Sequence, residues 1–151
     1  MLVIVLLTIL SVCYGWSSER VMIPMRDGVL LSTVLVFPDD NAGDRMDHRY
    51  GVIMDRSPYG YNVTEWLGDL FIPAGFVGVG QDMRGTFNSQ GNYSIWHSDA
   101  ADAADTIAWL QNQSWSNGQV MSMGASADGM AAMTIPLNEN VNELIQGQYI
   151  I

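Results

Sequence analysis

There is no lysine in this sequence, no histidine beyond position 97, and a single cysteine, Cys13. Each absence closes off a class of function. All six basic residues are arginine, against sixteen acidic ones, for a formal net charge of −10 over 151 residues. Such a chain has no basic face to neutralise a phosphate backbone, which excludes nucleic acid as a partner. Without lysine there is no phosphate-cradling P-loop, and Gly75, Gly78 and Gly80 do not form the dinucleotide fingerprint G-x-G-x-x-G. One cysteine supports neither a disulfide framework nor a cysteine zinc cluster. The two histidines, His48 and His97, stand near Asp47, Asp99 and Asp102, but the spacing matches no ligand pattern such as H-E-x-x-H. We therefore expect no metal and no cofactor. Charge is scarce too, at 15% of residues against 48% hydrophobic, so the chain is too apolar for a disordered acidic tail. Its length suits one domain.

Only Leu2–Leu10 forms a long apolar run, interrupted at Thr8. It is shorter than the roughly 20 residues a spanning helix needs, which argues against a stable membrane anchor. Followed by Cys13-Tyr14-Gly15, it reads as a secretory signal peptide over residues 1–15, with residues 16–151 as the mature domain. Secretion is the expected localisation. Three N-x-[ST] triplets, at Asn62, Asn92 and Asn112, are candidate glycosylation sites that fit this route.

The remainder alternates between two kinds of pattern. Glu19–Met25 and Val29–Phe37 flank Arg26-Asp27-Gly28, and Asp-Gly between apolar runs is a hairpin signal. Gly51–Asp55, Phe76–Gln81 and Gln119–Gly124 are short apolar runs of the kind buried on both faces of a parallel sheet. Pro38–Arg49 reads as a polar loop. Thr64 is placed to cap a helix running to Phe71. A clearer helix spans about Ser98 to Asn112, with Ala100, Ala103, Ala104, Ile107, Ala108 and Leu110 on its apolar face. Asp99, Asp102 and Asp105 fall largely on the opposite, solvated face, the first two favoured by the helix dipole. Ala127–Met133 begins another helix. An initial hairpin followed by strand–helix–strand–helix–strand predicts an α/β fold with a mainly parallel sheet.

Gly124-Ala125-Ser126-Ala127-Asp128-Gly129 falls where a strand meets a helix. A sharp turn there pushes a serine hydroxyl out above the sheet, and flanking glycines let helix and strand approach closely. The N–H of Ala127, at the helix N-terminus, would face a developing oxyanion. The bland alternative is an ordinary small-residue turn, with Asp128 a solvated charge at the helix start. Were Asp128 to face the pocket instead, it would oppose an oxyanion.

Five blocks occur in order: Pro24–Leu31, Arg56-Ser57-Pro58-Tyr59, Gln81–Gly85, Asp102–Trp109, and Trp115–Gly118 with Val120 and the Ser126 turn. Together they resemble the cocaine-esterase and Xaa-Pro dipeptidyl-peptidase family of α/β hydrolases. The resemblance implies an acyl-enzyme on Ser126. It implies an oxyanion hole made of the Tyr59 hydroxyl and the Ala127 N–H, with Arg84 a structural residue. It implies hydrolysis of small ester or amide substrates, either acyl esters or Xaa-Pro peptides. From the residues alone, Tyr59 reads as a half-buried packing residue. The chain departs from many family members in having Ala127, not tyrosine, after the nucleophile; a backbone donor survives that change.

A serine hydrolase also needs a base and an acid that orients it, which in this fold follow the nucleophile in chain order. No histidine follows Ser126, and Glu139 and Glu143 sit too close to it to stand for the distant acid. A rearranged triad would have to draw on His48 or His97. The expectation is thus a partial α/β-hydrolase fold, truncated after the nucleophile strand and helix, with that strand left as a sheet edge. The apolar ending Gln148–Ile151 itself reads as part of a strand. The chain is then a fragment inactive alone; the alternative is an inactive secreted hydrolase-like binding module.

Overall fold

The computed structural model describes residues 15–38, 48–60, 70–137 and 145–150. The leader up to Tyr14, Asn62, Asp47, Glu139, Glu143, Ile151, most of the polar loop and most of the helix expected from Thr64 lie outside them.

The hairpin forms as the Asp-Gly signal predicts. Strand β1 (Trp16–Pro24) pairs antiparallel with β2 (Leu30–Pro38), from Trp16 opposite Pro38 to Pro24 opposite Leu30. Gly28 takes φ +84 in the turn, a conformation open to glycine at little cost. The three buried-type runs become β3 (Tyr50–Ser57), β4 (Phe76–Asp82) and β5 (Ser116–Gly124), each a little longer than the apolar residues alone indicate. Strand β3 lies between β4 and β5, parallel to both. A sixth strand, β6 (Ile145–Ile150), pairs in parallel with β5. The strand leading to Ser126 is therefore interior, and the expected bare edge is occupied. The sheet order is β1-β2-β4-β3-β5-β6, with β2 antiparallel to β4.

Two helices follow β4 and β5. Helix α1 (Asp99–Gln111) matches the expected segment, and α2 (Ala127–Thr134) passes into a 3-10 turn at Ile135–Leu137. Both pack on one sheet face. There Leu35, Phe37, Val52, Met54, Val77, Val79 and Val120 meet Ala103, Ala104, Ile107 and Leu110 of α1 in the main core. Each large aliphatic side chain so buried contributes about 1.5–3 kcal/mol. Ala108, expected on this face, is exposed, because it lies at the margin of the helical stripe. The other sheet face carries smaller clusters around Ile53 with Met123, and around Val34, Val36 and Ile72.

The acidic face of α1 is where sequence reading and structure part. Asp99 and Asp102 are only 3% and 1% exposed. Arg84 grips Asp102 through Nε at 2.9 Å and Nη2 at 2.6 Å, and reaches Asp27 in the hairpin through Nη1 at 2.7 Å. Arg26 binds Asp105 with Nη2 at 2.8 Å and its own backbone N–H at 2.8 Å. Two arginines thus pin the β1–β2 turn to α1, so these aspartates are tied, not solvated. Arg84 ties the hairpin to α1, a structural role of the kind the family resemblance implies. Helical periodicity cannot reveal such pairs, because the arginines come from distant segments.

Candidate active site

Parallel strands bring the ends of β3 and β5 to one edge of the sheet. Asp55 lies opposite Met123, so Ser57 ends β3 where Ala125 leaves β5. Tyr59 and Ser126 therefore emerge at the same edge from neighbouring strands. Tyr59 is 63% exposed, an open position rather than a half-buried packing one.

Ser126 has φ 57 and ψ −121, left-handed backbone that a non-glycine residue adopts only under constraint. The constraint is visible in its flanks. A Cβ on Gly124 would lie 2.3 Å from the carbonyl carbon of Asp128, so strand end and helix start touch where only glycine fits. A Cβ on Gly129 would meet the Gly124 carbonyl oxygen and Ile150 Cγ2, each at 3.0 Å. Gly129, three residues beyond the serine, therefore supplies the second close approach. The first helical bond of α2 runs from the Met130 N–H to the Ser126 carbonyl at 3.0 Å. The Ala127 N–H precedes it, among the donors a helix start leaves without an intrahelical partner. The serine side chain itself is exposed.

Under this edge lies a buried polar layer that sequence patterning does not show. Arg56, fully enclosed, donates from Nε to Gln81 Oε1 at 2.8 Å and from Nη1 to the Asp99 carbonyl at 2.9 Å. Its Nη2 stands 3.6 Å from Asp99 Oδ1. Burial dominates for both partners, pushing the Asp99 carboxyl up and the guanidinium down, each opposed by the other's charge. Gln81 Nε2 continues the layer to Thr33 and Thr106. The end of β3 and the start of α1 are locked together by these bonds.

Two carboxyls border the serine turn. Asp128 is half-buried, not freely solvated as expected of a charge at a helix start. Burial pushes its carboxyl up, and the nearby Ser57 side chain opposes that. Asp55 is pushed up to about 7, chiefly by burial and then by the charge of Asp128. Oδ1 of each is buried without a hydrogen-bond partner among the described residues.

The two histidines are placed differently. His48 stacks on Tyr50 with ring centroids 6.4 Å apart, at the start of β3. It is separated from the Ser126 edge by the length of that strand, roughly 25 Å, so it cannot serve Ser126. His97 is exposed in the turn before α1, at the same edge of the sheet as Ser126. An apolar depression of about 280 Å³ lies elsewhere, lined by Ile53, Leu70, Phe71, Met121, Ser122 and Met123.

Comparison with known proteins gives this geometry a lineage. The family profile for X-Pro dipeptidyl-peptidase (S15 family) matches residues 27–144. Over 121 residues, 75% of this chain and 20% of the relative, the sequence is 37% identical to cocaine esterase from Rhodococcus. A selenomethionine-labelled α-amino acid ester hydrolase superposes with a TM-score of 0.70 at 32% identity, covering 83% of this chain and 24% of that one. A CocE/NonD family hydrolase from Staphylococcus aureus superposes at 0.72 with 23% identity, over 87% of this chain and 26% of its own, and so shows the fold. The chain spans about a fifth of the cocaine esterase it matches.

Proposed function

The chain belongs to the X-Pro dipeptidyl-peptidase (S15) family of serine hydrolase-like esterases and peptidases, and from that membership we propose that Ser126 is an acyl-forming nucleophile. One observation carries the reading: a serine held at φ 57 between a strand and a helix whose contact excludes any side chain at Gly124. Strained backbone at an exposed hydroxyl is the signature of a site that presents its nucleophile. In this reading Ser126 Oγ attacks an ester or amide carbonyl, and its proton passes to a base. The negative oxygen is received by the Ala127 N–H and the Tyr59 hydroxyl. The substrates are small acyl or aminoacyl esters, or Xaa-Pro peptides. Residues 1–15 direct secretion, with glycans on Asn62, Asn92 and Asn112; Asn92 and Asn112 are exposed.

The alternative reading is a hydrolase-like binding module without turnover. A fluorophosphonate probe on the protein as its gene encodes it separates the two. Labelling at Ser126, lost in Ser126→Ala, together with hydrolysis of a p-nitrophenyl ester or an aminoacyl-prolyl substrate, supports the enzyme. An unlabelled, correctly folded protein supports the binding module.

A further inference from the structure

Along the sheet edge, β3 stands between β5, which leads to Ser126, and β4, which leads through Arg84 to Phe87. The exits of β3 and β4 are joined. Ser57 lies opposite Asp82, and the Met83 N–H donates to the Ser57 carbonyl at 3.0 Å. The Tyr59 N–H donates to Ser57 Oγ at 3.1 Å, which fixes the start of its turn. Beyond Met83 the chain makes a tight loop pinned at both ends. The Gly85 N–H donates to the Gln90 carbonyl, and the Gln90 N–H to the Leu30 carbonyl, each at 2.9 Å. Ser89 Oγ donates to the Asp82 carbonyl at 2.6 Å and accepts the Ser32 N–H at 2.9 Å. At the tip of this loop Phe87 takes φ 42, left-handed backbone that a bulky residue adopts only under constraint, yet it is 68% exposed. One side of its ring rests on Gly60, where a Cβ would lie 2.6 Å from Phe87 Cε1 and 2.7 Å from Cδ1. Glycine at position 60 thus leaves room for the ring immediately beside Tyr59.

We propose that Phe87 is a specificity-determining residue of the Ser126 site, its ring an apolar wall against which the acyl group of a substrate rests. The inference rests on the reading of Ser126 and Tyr59 given above and names the part of the substrate that reading leaves open. Tyr59 stands between the two residues: Ser126 leaves the strand on one side of β3, and Phe87 follows the strand on the other. Two strand spacings, roughly 10 Å, separate β4 from β5, a span that a medium-length acyl chain covers once the thickness of the ring is counted. The leaving group must face the base that returns a proton to it, so the group turned toward the Tyr59 side is the acyl one. The loop itself has no need of an aromatic at position 87. Most of the ring is in solvent, and the loop is held by backbone and serine bonds on either side of it. Strain kept at an exposed apolar side chain, beside an edge that presents a strained serine, marks a residue held for contact with a ligand. A glycine at position 87 would relieve the backbone and remove the wall in one change.

The test compares Phe87→Gly and Phe87→Leu with wild type in the protein as its gene encodes it. The substrates are p-nitrophenyl acetate and p-nitrophenyl hexanoate, which share a leaving group and differ in acyl length. We expect Phe87→Gly to lose about tenfold in kcat/KM on the hexanoate and less than about twofold on the acetate, the loss falling mainly on KM. Phe87→Leu, still apolar, should recover most of it. Glycine accepts φ 42 freely, so Phe87→Gly should unfold at the wild-type temperature or above. Binding without turnover is read in a Ser126→Ala background, by equilibrium dialysis of the p-nitroanilide of hexanoic acid. Adding Phe87→Gly there should raise Kd about tenfold. Equal losses on the two esters, or unchanged discrimination between them, overturn the proposal. So does a Phe87→Gly protein of lower thermal stability, which would make the ring a structural contact. A wild-type protein that fluorophosphonate does not label overturns the reading of Ser126 instead, and the dialysis data still decide whether Phe87 meets the acyl chain.

Discussion

Replacing Asp55 by asparagine should stabilise the protein, and only above mildly acid pH. In the fold the Asp55 carboxyl is pushed up from 3.8 to about 7, by burial first and by the charge of Asp128 second. Between those values the folded state holds a proton that the unfolded state has lost. Its share of stability is therefore fully present below pH 4 and drains away as pH rises to 7. At about 1.4 kcal/mol per unit, a displacement of roughly three units amounts to at most ~4 kcal/mol. Asp128, whose carboxyl is also pushed up by burial, titrates together with Asp55, so part of this cost belongs to the pair. Asparagine has nearly the same shape and no charge to desolvate. Urea denaturation of both proteins from pH 4 to 8 measures the effect, and taking the difference cancels the carboxyls not coupled to Asp55. We expect near equality at pH 4 and a gain for Asp55→Asn of about 2–4 kcal/mol at pH 8. A difference that does not change with pH, or a mutant less stable at pH 8, would refute the reasoning.

Tyr59→Phe should lower kcat about 10²–10³-fold with little change in KM, as expected on removing one oxyanion donor; steady-state kinetics decide, and near wild-type turnover would leave Tyr59 without that role. Gly124→Ala would drive a methyl to within 2.3 Å of the Asp128 backbone, at a typical overpacking cost of about 1–3 kcal/mol. Reduced thermal stability and loss of fluorophosphonate labelling should appear together, and a stable, fully reactive mutant would contradict the close approach. Arg84→Ala would strand the buried Asp102 carboxyl, which its guanidinium holds at 2.6 Å. Removing one partner of a buried pair costs about 3–5 kcal/mol, so denaturant unfolding should show a loss of that order.

Much of the scaffold was legible because its signals are local. Gly51–Asp55 and Phe76–Gln81 are unbroken apolar runs, too short for helices and bounded by turn residues. The helix from Asp99 to Gln111 carries its period in its alanines. Ser126 could be singled out because two glycines flank it at a strand–helix junction. What escaped was set by residues far apart in sequence. Asp99 and Asp102 look solvated until Arg56 arrives from β3 and Arg84 from the turn after β4. Asp128 looks like a solvated helix-start charge, but the fold half-buries it. Ser57 carried no signal beyond its place in Arg56-Ser57-Pro58-Tyr59, since a serine's polar role depends on what the fold brings to it. The place of β6 beside β5 was equally hidden, because a strand-like ending does not disclose its neighbour.

The position of β3 has a consequence for how the chain is made. Both of its partners, β4 and β5, are encoded downstream, so during synthesis β3 emerges with two bare edges. Neither can be closed by a tight local turn, because parallel pairs require a crossover. The β1–β2 hairpin, by contrast, pairs across a short turn and can form at once. Gly51, Val52, Ile53 and Met54, all buried in the finished sheet, must therefore wait for residue 76 and then residue 116 before their backbone is satisfied on both sides. Non-local pairing of this kind slows folding and prolongs exposure of sticky strands. The nascent chain is most vulnerable to aggregation in that interval, and the turn that presents Ser126 is assembled only after it closes.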